Sequence, residues 1–219
     1  MIRQNSYTID RNLLDYKLIL GPEFIEFLTS LGLEHHWIDS GAGRARAMID
    51  YVQDDFFSPQ ARVTALDSNT PEPHYLAELE KKFSSPGFRY LSGQRIENRH
   101  LDEVGCADLI TDVYGPLQYS STMDQVLERY ATLLKPEGEI WTVQPVITFI
   151  YDRQNKEIRF QDWLKYVQGL TVHSVLSPHS GARELVLLRN EESIVIPKLA
   201  LQSIYSGSPP LRKFTLLDS

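Results

Sequence analysis

Asp39, Gly41 and Gly43, in the run Ile38-Asp39-Ser40-Gly41-Ala42-Gly43-Arg44-Ala45, are the residues whose types and spacing are best suited to chemistry. Glycines let a backbone pass close to a ligand, and a helix starting behind them offers free N–H groups to a polar or negative group. A dinucleotide site of this kind wants a further glycine three positions after the second, but position 46 holds Arg46, which counts against NAD or FAD. Two more carboxylates close apolar runs: Asp67 after Val63-Thr64-Ala65-Leu66, and Asp112 after Asp108-Leu109-Ile110-Thr111. A carboxylate at such a strand end can accept hydrogen bonds from both hydroxyls of a ribose. Aspartate is equally at home capping the turn that follows, so for Asp67 both roles stand open, and Asp112 too can simply start a turn.

The elements that must position these groups follow from apolar periodicity. A helix is expected behind Gly21-Pro22, with Phe24, Ile25, Phe27, Leu28 and Leu31 at helical spacing and a stop at Gly32. Strand one, His35 to Asp39, runs into the glycine turn, and a helix from about Arg44 to Asp54 follows. Next come a strand over Arg62 to Leu66, a helix near His74 to Phe83 behind two prolines, a strand over Phe88 to Leu91 and a strand over Ala107 to Asp112. Met123 to Leu134 is strongly periodic through Val126, Leu127, Tyr130, Leu133 and Leu134, ends at Pro136 to Gly138, and leads into a fifth strand, Glu139 to Val143. Ile158 to Leu170 reads as a further crossover helix, and Thr171 to Leu176 with Glu184 to Leu188 as an antiparallel pair around Pro178 and Gly181. From Glu191 onward the chain reads as an irregular tail whose apolar segments pack on the domain edge. Strands alternating with helices predict a parallel sheet covered on both faces.

The residues from about 35 to 145 resemble the class I S-adenosylmethionine-dependent methyltransferase family. Asp39, Gly41 and Gly43 match its first motif, with Ala45 in place of the last glycine; Asp67 falls at its second landmark. Ser92-Gly93-Gln94-Arg95-Ile96-Glu97 resembles its third, with Gln94 where aspartate is usual. Asp108 to Tyr119, a helix, and Leu134-Lys135-Pro136-Glu137-Gly138-Glu139-Ile140 complete the likeness. The resemblance implies an α/β, doubly wound, mostly parallel seven-stranded sheet of order 3-2-1-4-5-7-6, its last strand antiparallel, with helices on both faces. It divides the chain into an N-terminal helical cap (1–34), a Rossmann-like domain (35–190) and a C-terminal extension on the same domain (191–219). It also implies S-adenosylmethionine as cofactor. Asp39, Ser40, Gly41, Ala42 and Gly43 would then lie at its amino-acid end, Asp67 and Ser68 at its ribose, and Gln94, Arg95 and Ile96 at adenine, with Asp112 and Tyr119 closing the site. Methyl transfer from a sulfonium is a displacement that gains much of its rate from alignment and needs a base only for a protonated acceptor. The catalytic candidates are Asp112, to orient or deprotonate an acceptor, and Tyr114, to shape its pocket.

Composition narrows the partners. A formal charge of −7 and a pI near 5.4 give no electrostatic reason to expect a nucleic-acid backbone. By the same resemblance, the absence of an Asn-Pro-Pro-Tyr or Asp-Pro-Pro-Tyr run after strand four argues against the members of that family that methylate nucleobase amino groups, and a small molecule or a protein side chain remains open as acceptor. Cys106 is the single cysteine, read as a small buried hydrophobe. His35 and His36 would point to opposite faces of a strand, and His173 and His179 lack ligand-spaced partners, so no metal is assigned. Trp141, Trp163, Phe56 and Phe57 are expected in the core. Met1 to Asp10 is polar, without a signal-peptide run, and no stretch reaches the ~20 apolar residues of a membrane span, which gives a cytoplasmic expectation. The N-terminal segment and Ile147 to Glu157 are the candidates for an acceptor-side lid. Two other functions stay open: a methyltransferase-like binding or scaffold protein without turnover, which Gln94 fits, and, with less support, another nucleotide-dependent enzyme.

Overall fold

The computed structural model describes residues 10–83, 87–143, 145, 147–176, 183–189, 191, 193–207 and 210–217. In chain order the elements are α1 (Leu13–Leu20), α2 (Pro22–Ser30), β1 (His36–Ser40), α3 (Arg46–Gln53), β2 (Arg62–Leu66), α4 (Pro73–Lys82), β3 (Phe88–Leu91), α5 (Leu101–Val104) and β4 (Ala107–Asp112). They continue with α6 (Pro116–Tyr119), α7 (Met123–Leu133), β5 (Leu134–Val143), β6 (Thr148–Tyr151), β7 (Glu157–Ile158), α8 (Phe160–Leu164), β8 (Leu170–Leu176), β9 (Arg183–Arg189), β10 (Leu199–Tyr205) and β11 (Leu211–Leu216).

Local chemistry explains the helix starts. Asn12 and Asp15 form a reciprocal capping box on α1, and Pro22, whose missing N–H costs nothing in a first turn, opens α2. Ala45 adopts φ 54°, which delays α3 to Arg46.

Seven strands form one sheet in the order β3-β2-β1-β4-β5-β9-β8. The first five are mutually parallel, β9 runs antiparallel to β5, and β8 antiparallel to β9. This is the doubly wound α/β architecture, and its strand order reverses between β1 and β4, where such sheets open a crevice at their carboxyl ends. Side chains alternate strictly across it. Ile38, Ile110, Ile140 and Leu187 face α7, while Trp37, Val63, Leu109 and Trp141 face α1 to α3. Trp37 anchors the second face, with the rings of Tyr16, Phe24 and Tyr51 at 6.4, 6.2 and 5.3 Å.

A second sheet, β10-β11-β6-β7, lies outside the expected plan. The segment read as an irregular tail supplies the hairpin β10–β11, and β11 joins β6 in parallel, so Thr148 to Tyr151 belongs to a strand and not to a free lid. Phe214, wholly buried, joins Ile150, Phe160 and Trp163 in the core on the α7 side. The expected crossover helix from Ile158 to Leu170 shrinks to α8. Its first residue is drawn into β7 by pairing with Ile150, and Gly169, at φ 83°, turns the chain into β8.

Other expectations are corrected at single residues. Cys106 is exposed, because it sits in the turn before β4, although its carbonyl accepts from the His36 ring. Phe56 is 65% exposed, whereas Phe57, Trp141 and Trp163 are buried as expected. His173 lies exposed on β8, and His179, Pro178 and Gly181 fall outside the described residues. Among the described residues no helix is long and apolar enough to cross a membrane.

Candidate functional site

The carboxyl ends of β1, β2, β3 and β4 converge on the glycine turn. After Ser40 the chain enters the left-handed region at Gly41 (φ 82°) and Gly43 (φ 56°). The amides of Gly41 and Ala42 both donate to the Leu66 carbonyl, at 2.9 and 3.0 Å, which stitches the turn onto β2. Asp67 follows directly. One of its oxygens accepts from the Gly43 amide at 2.9 Å and the other from the Asn69 amide at 2.6 Å, and burial raises its pKa. The hydroxyls of Tyr90 and Tyr75 close the outer side by donating to the carbonyls of Gly43 and Arg44.

Beside Asp67 lies a cavity of about 500 Å³ whose walls include Asp10, Gly43, Arg44, Thr70 and Tyr90. Asp10 accepts from the Arg44 amide at 3.0 Å and lies 3.8 Å from the guanidinium nitrogens of both Arg44 and Arg46. Its neighbour Arg11 reaches the other half of the crevice, donating to the Val113 carbonyl at 3.3 Å with its guanidinium 4.9 Å from the centre of the Tyr114 ring. Asp10, Arg44 and Tyr90 had not been singled out in the sequence. Of these, Tyr90 carried a readable signal, an aromatic residue one position before the end of a strand.

Asp39 and Asp112 face inward. Asp39 is 1% exposed, accepts from the Tyr16 hydroxyl at 2.8 Å on both oxygens and from Thr111 at 2.7 Å, and burial pushes its pKa up to about 6. Asp112, equally buried, accepts from the Gly115 amide at 2.7 Å, the Leu117 amide at 2.9 Å and the Tyr130 hydroxyl at 2.7 Å; burial raises it, too, to about 6. Its carboxylate therefore builds the turn between β4 and α6. That turn rests on the glycine loop: a Cβ at Gly41 would meet the Gly115 Cα at 2.8 Å and Pro116 Cδ at 3.0 Å, and one at Gly115 would run into the Ser40 carbonyl. The backbones thus touch where the strand order reverses.

The structure brings together Gly43 and Asp67 on the cavity wall, whereas Ser68, next in the chain, is exposed and outside that lining. Gln94 and Arg95 are exposed on the loop after β3, whereas Ile96 is buried in the core facing α7. Tyr114, at φ 55°, and Tyr119 are half-buried beyond β4.

No protein-family model matches the sequence, and neither does any curated protein. Solved structures do match. The N-methyltransferase NodS from Bradyrhizobium japonicum WM9 aligns with a TM-score of 0.53 and 13% identity over 84% of this chain and 100% of that one. An O-methyltransferase family protein from Burkholderia thailandensis gives 0.52 and 15% over 82% of this chain, which spans 59% of that protein's length. The amino pentose methyltransferase CalS10 from Micromonospora echinaspora, solved with S-adenosylmethionine bound, gives 0.52 and 12% over 77% of this chain and 89% of its own. The fold is that of solved methyltransferases. At these identities the likeness establishes architecture, and the chemistry must be argued from the side chains.

Proposed function

We propose that this chain binds S-adenosylmethionine and transfers its methyl group to a small-molecule or protein acceptor. The observation that carries the reading is Asp67: a carboxylate at the end of β2, fixed by two amides, on the wall of a cavity of about 500 Å³ beside the glycine turn. Its carboxylate has about four acceptor positions and so retains capacity beyond the two amides and the Asn69 side chain it already meets, which is what a ribose hydroxyl asks for. The residues present fit the nucleoside half of the cofactor. Asp67 would hold the sugar, with Ser68 beside it, and the backbone of Arg95 with the Gln94 side chain would meet the base. The bound group supplies an electrophilic methyl. Asp112 positions the turn that carries Tyr114, and Tyr114, half-exposed under Arg11, lines the acceptor side.

One observation favours a second reading, a nucleoside-binding protein without turnover. Contact between Gly41 and Gly115 occupies the place the amino-acid end would take, so that end fits only if the β4–α6 turn stands away from the glycine loop. Titration calorimetry with S-adenosylmethionine, S-adenosylhomocysteine, adenosine and NAD separates the possibilities. The methyltransferase reading expects both sulfur nucleosides to bind at least tenfold more tightly than adenosine, with Asp67→Ala losing at least tenfold of that affinity. Equal affinity for adenosine supports the second reading, and preference for NAD rejects both. Transfer of labelled methyl groups to lysate components, present in the parent and absent in Asp67→Ala, then reports turnover.

A further inference from the structure

Arg212 stands out at the same rim of the molecule. It lies on β11 two residues before the wholly buried Phe214, hence on the same inward face, and pairs in register with Thr148 of β6. The Thr148 hydroxyl donates to the Gln118 carbonyl at 3.4 Å, which sets Arg212 next to the turn ending in Tyr119, at the carboxyl edge of the main sheet. One guanidinium nitrogen donates to the Pro210 carbonyl at 3.1 Å. Its Nε is buried with no acceptor among the described residues. Burial lowers the Arg212 pKa; Tyr119 acts against that, and the nearby positive charge of Arg95, on the loop after β3, lowers it further. Among the described residues neither arginine has a carboxylate partner.

A buried N–H without an acceptor is disfavoured, and so is a half-buried guanidinium that also feels the positive charge of the exposed Arg95. Both are relieved by one anionic oxygen group, which a planar guanidinium can grip through two parallel bonds. We propose that Arg212, with Arg95, seats a carboxylate or phosphate group carried by the methyl acceptor. The assignment of that group to an acceptor rests on the methyltransferase reading, whereas the anion seat itself does not. On a chain of net charge −7, such a seat selects for a particular small anionic substrate.

The test uses the full chain with sodium phosphate and sodium acetate as probes, each titrated against chloride at matched ionic strength and followed by thermal midpoint and calorimetry. At least one anion is expected to saturate in the millimolar range, and the preferred one tells phosphate from carboxylate chemistry. Arg212→Gln should weaken that binding at least tenfold and Arg95→Gln at least threefold. Arg212→Lys, which keeps the charge, should retain part of it. Lys213→Gln is the control, since the Lys213 ammonium sits 4.0 Å from the Tyr151 ring centre, on the alternate face of β11. Failure of both anions to saturate, or parental affinity retained in Arg212→Gln or in Arg95→Gln, overturns the seat. S-adenosylhomocysteine titrated into the same samples keeps the two ideas apart: its binding without an anion response removes the seat alone, and an anion response without its binding removes the methyltransferase reading alone.

Discussion

Replacing Asp112 by asparagine distinguishes a carboxylate that builds the site from one that moves protons. The parent side chain accepts three bonds, from the Gly115 amide, the Leu117 amide and the Tyr130 hydroxyl, and is 1% exposed. Asparagine offers one oxygen. Placed toward Leu117 and Tyr130 it keeps two of the bonds, but its amide nitrogen then faces the Gly115 N–H, leaving two buried donors without an acceptor. At ~1–3 kcal/mol for each stranded donor, the loss is about 2–6 kcal/mol. For a domain of this size that corresponds to a fall in thermal midpoint on the order of 10 °C. Guanidinium denaturation and a thermal scan at pH 7.5 measure it directly. Tyr130→Phe, which removes a single donor, should cost about 1 kcal/mol. Combined with Asp112→Asn it should give a non-additive total, because both act on one network. An Asp112→Asn protein of parental stability that has lost methyl transfer would refute this reasoning and make Asp112 a proton-transfer group.

Acid sensitivity should be dominated by three buried groups of opposite sign. Burial lowers His36 to about 4, so the unfolded chain, at 6.5, takes up the proton first; the stability tied to neutral His36 is present above 6.5 and is lost as the pH falls through about 4. Asp39 and Asp112, raised to about 6 from 3.8, act in reverse: their contribution is present below 3.8 and lost as the pH rises through about 6. The parent should therefore change little between pH 7.5 and 5, while His36→Gln should gain about 2 kcal/mol relative to it over that interval by urea midpoints; an identical slope in the two proteins contradicts the assignment. Phe214→Ala should cost about 3–5 kcal/mol, the range for a buried phenylalanine, because the C-terminal hairpin completes the core facing α7. A loss below about 1 kcal/mol would mean that the hairpin merely rests on the surface.

Where a short apolar or β-branched run is bounded by turn residues, the limits of the strand were readable from sequence. β2, β3 and β4 run from Arg62 to Leu66, Phe88 to Leu91 and Ala107 to Asp112, the bounds their composition predicts. The alternation of such strands with helices predicted a parallel sheet covered on both faces, and its strand order followed from the resemblance. The second sheet was not readable, because Thr148 to Tyr151 pairs with residues more than 60 positions later and nothing local announces a partner so distant. β10 is mostly exposed, so it lacks the burial pattern that would have marked it as a strand.

The candidate site divides along the same line. Asp112 ends β4, Asp67 stands one residue past β2 and Asp39 one residue short of the end of β1, so sequence alone gives the three nearly the same standing. Their surroundings differ because helices bring different groups to each: α1 delivers the Tyr16 hydroxyl to Asp39, and α7 delivers the Tyr130 hydroxyl to Asp112. Asp67 meets the amides of Gly43 and Asn69 and the Asn69 side chain, all from loops, and among the described residues no hydroxyl from a packed helix reaches it. Fully satisfied buried carboxylates stiffen a scaffold, while a partly satisfied one on a cavity wall retains capacity for a ligand. Asp67 therefore differs from the other two aspartates in acceptor capacity that no packed helix has used, a property set by the packing of α1 and α7 and invisible at the strand ends themselves.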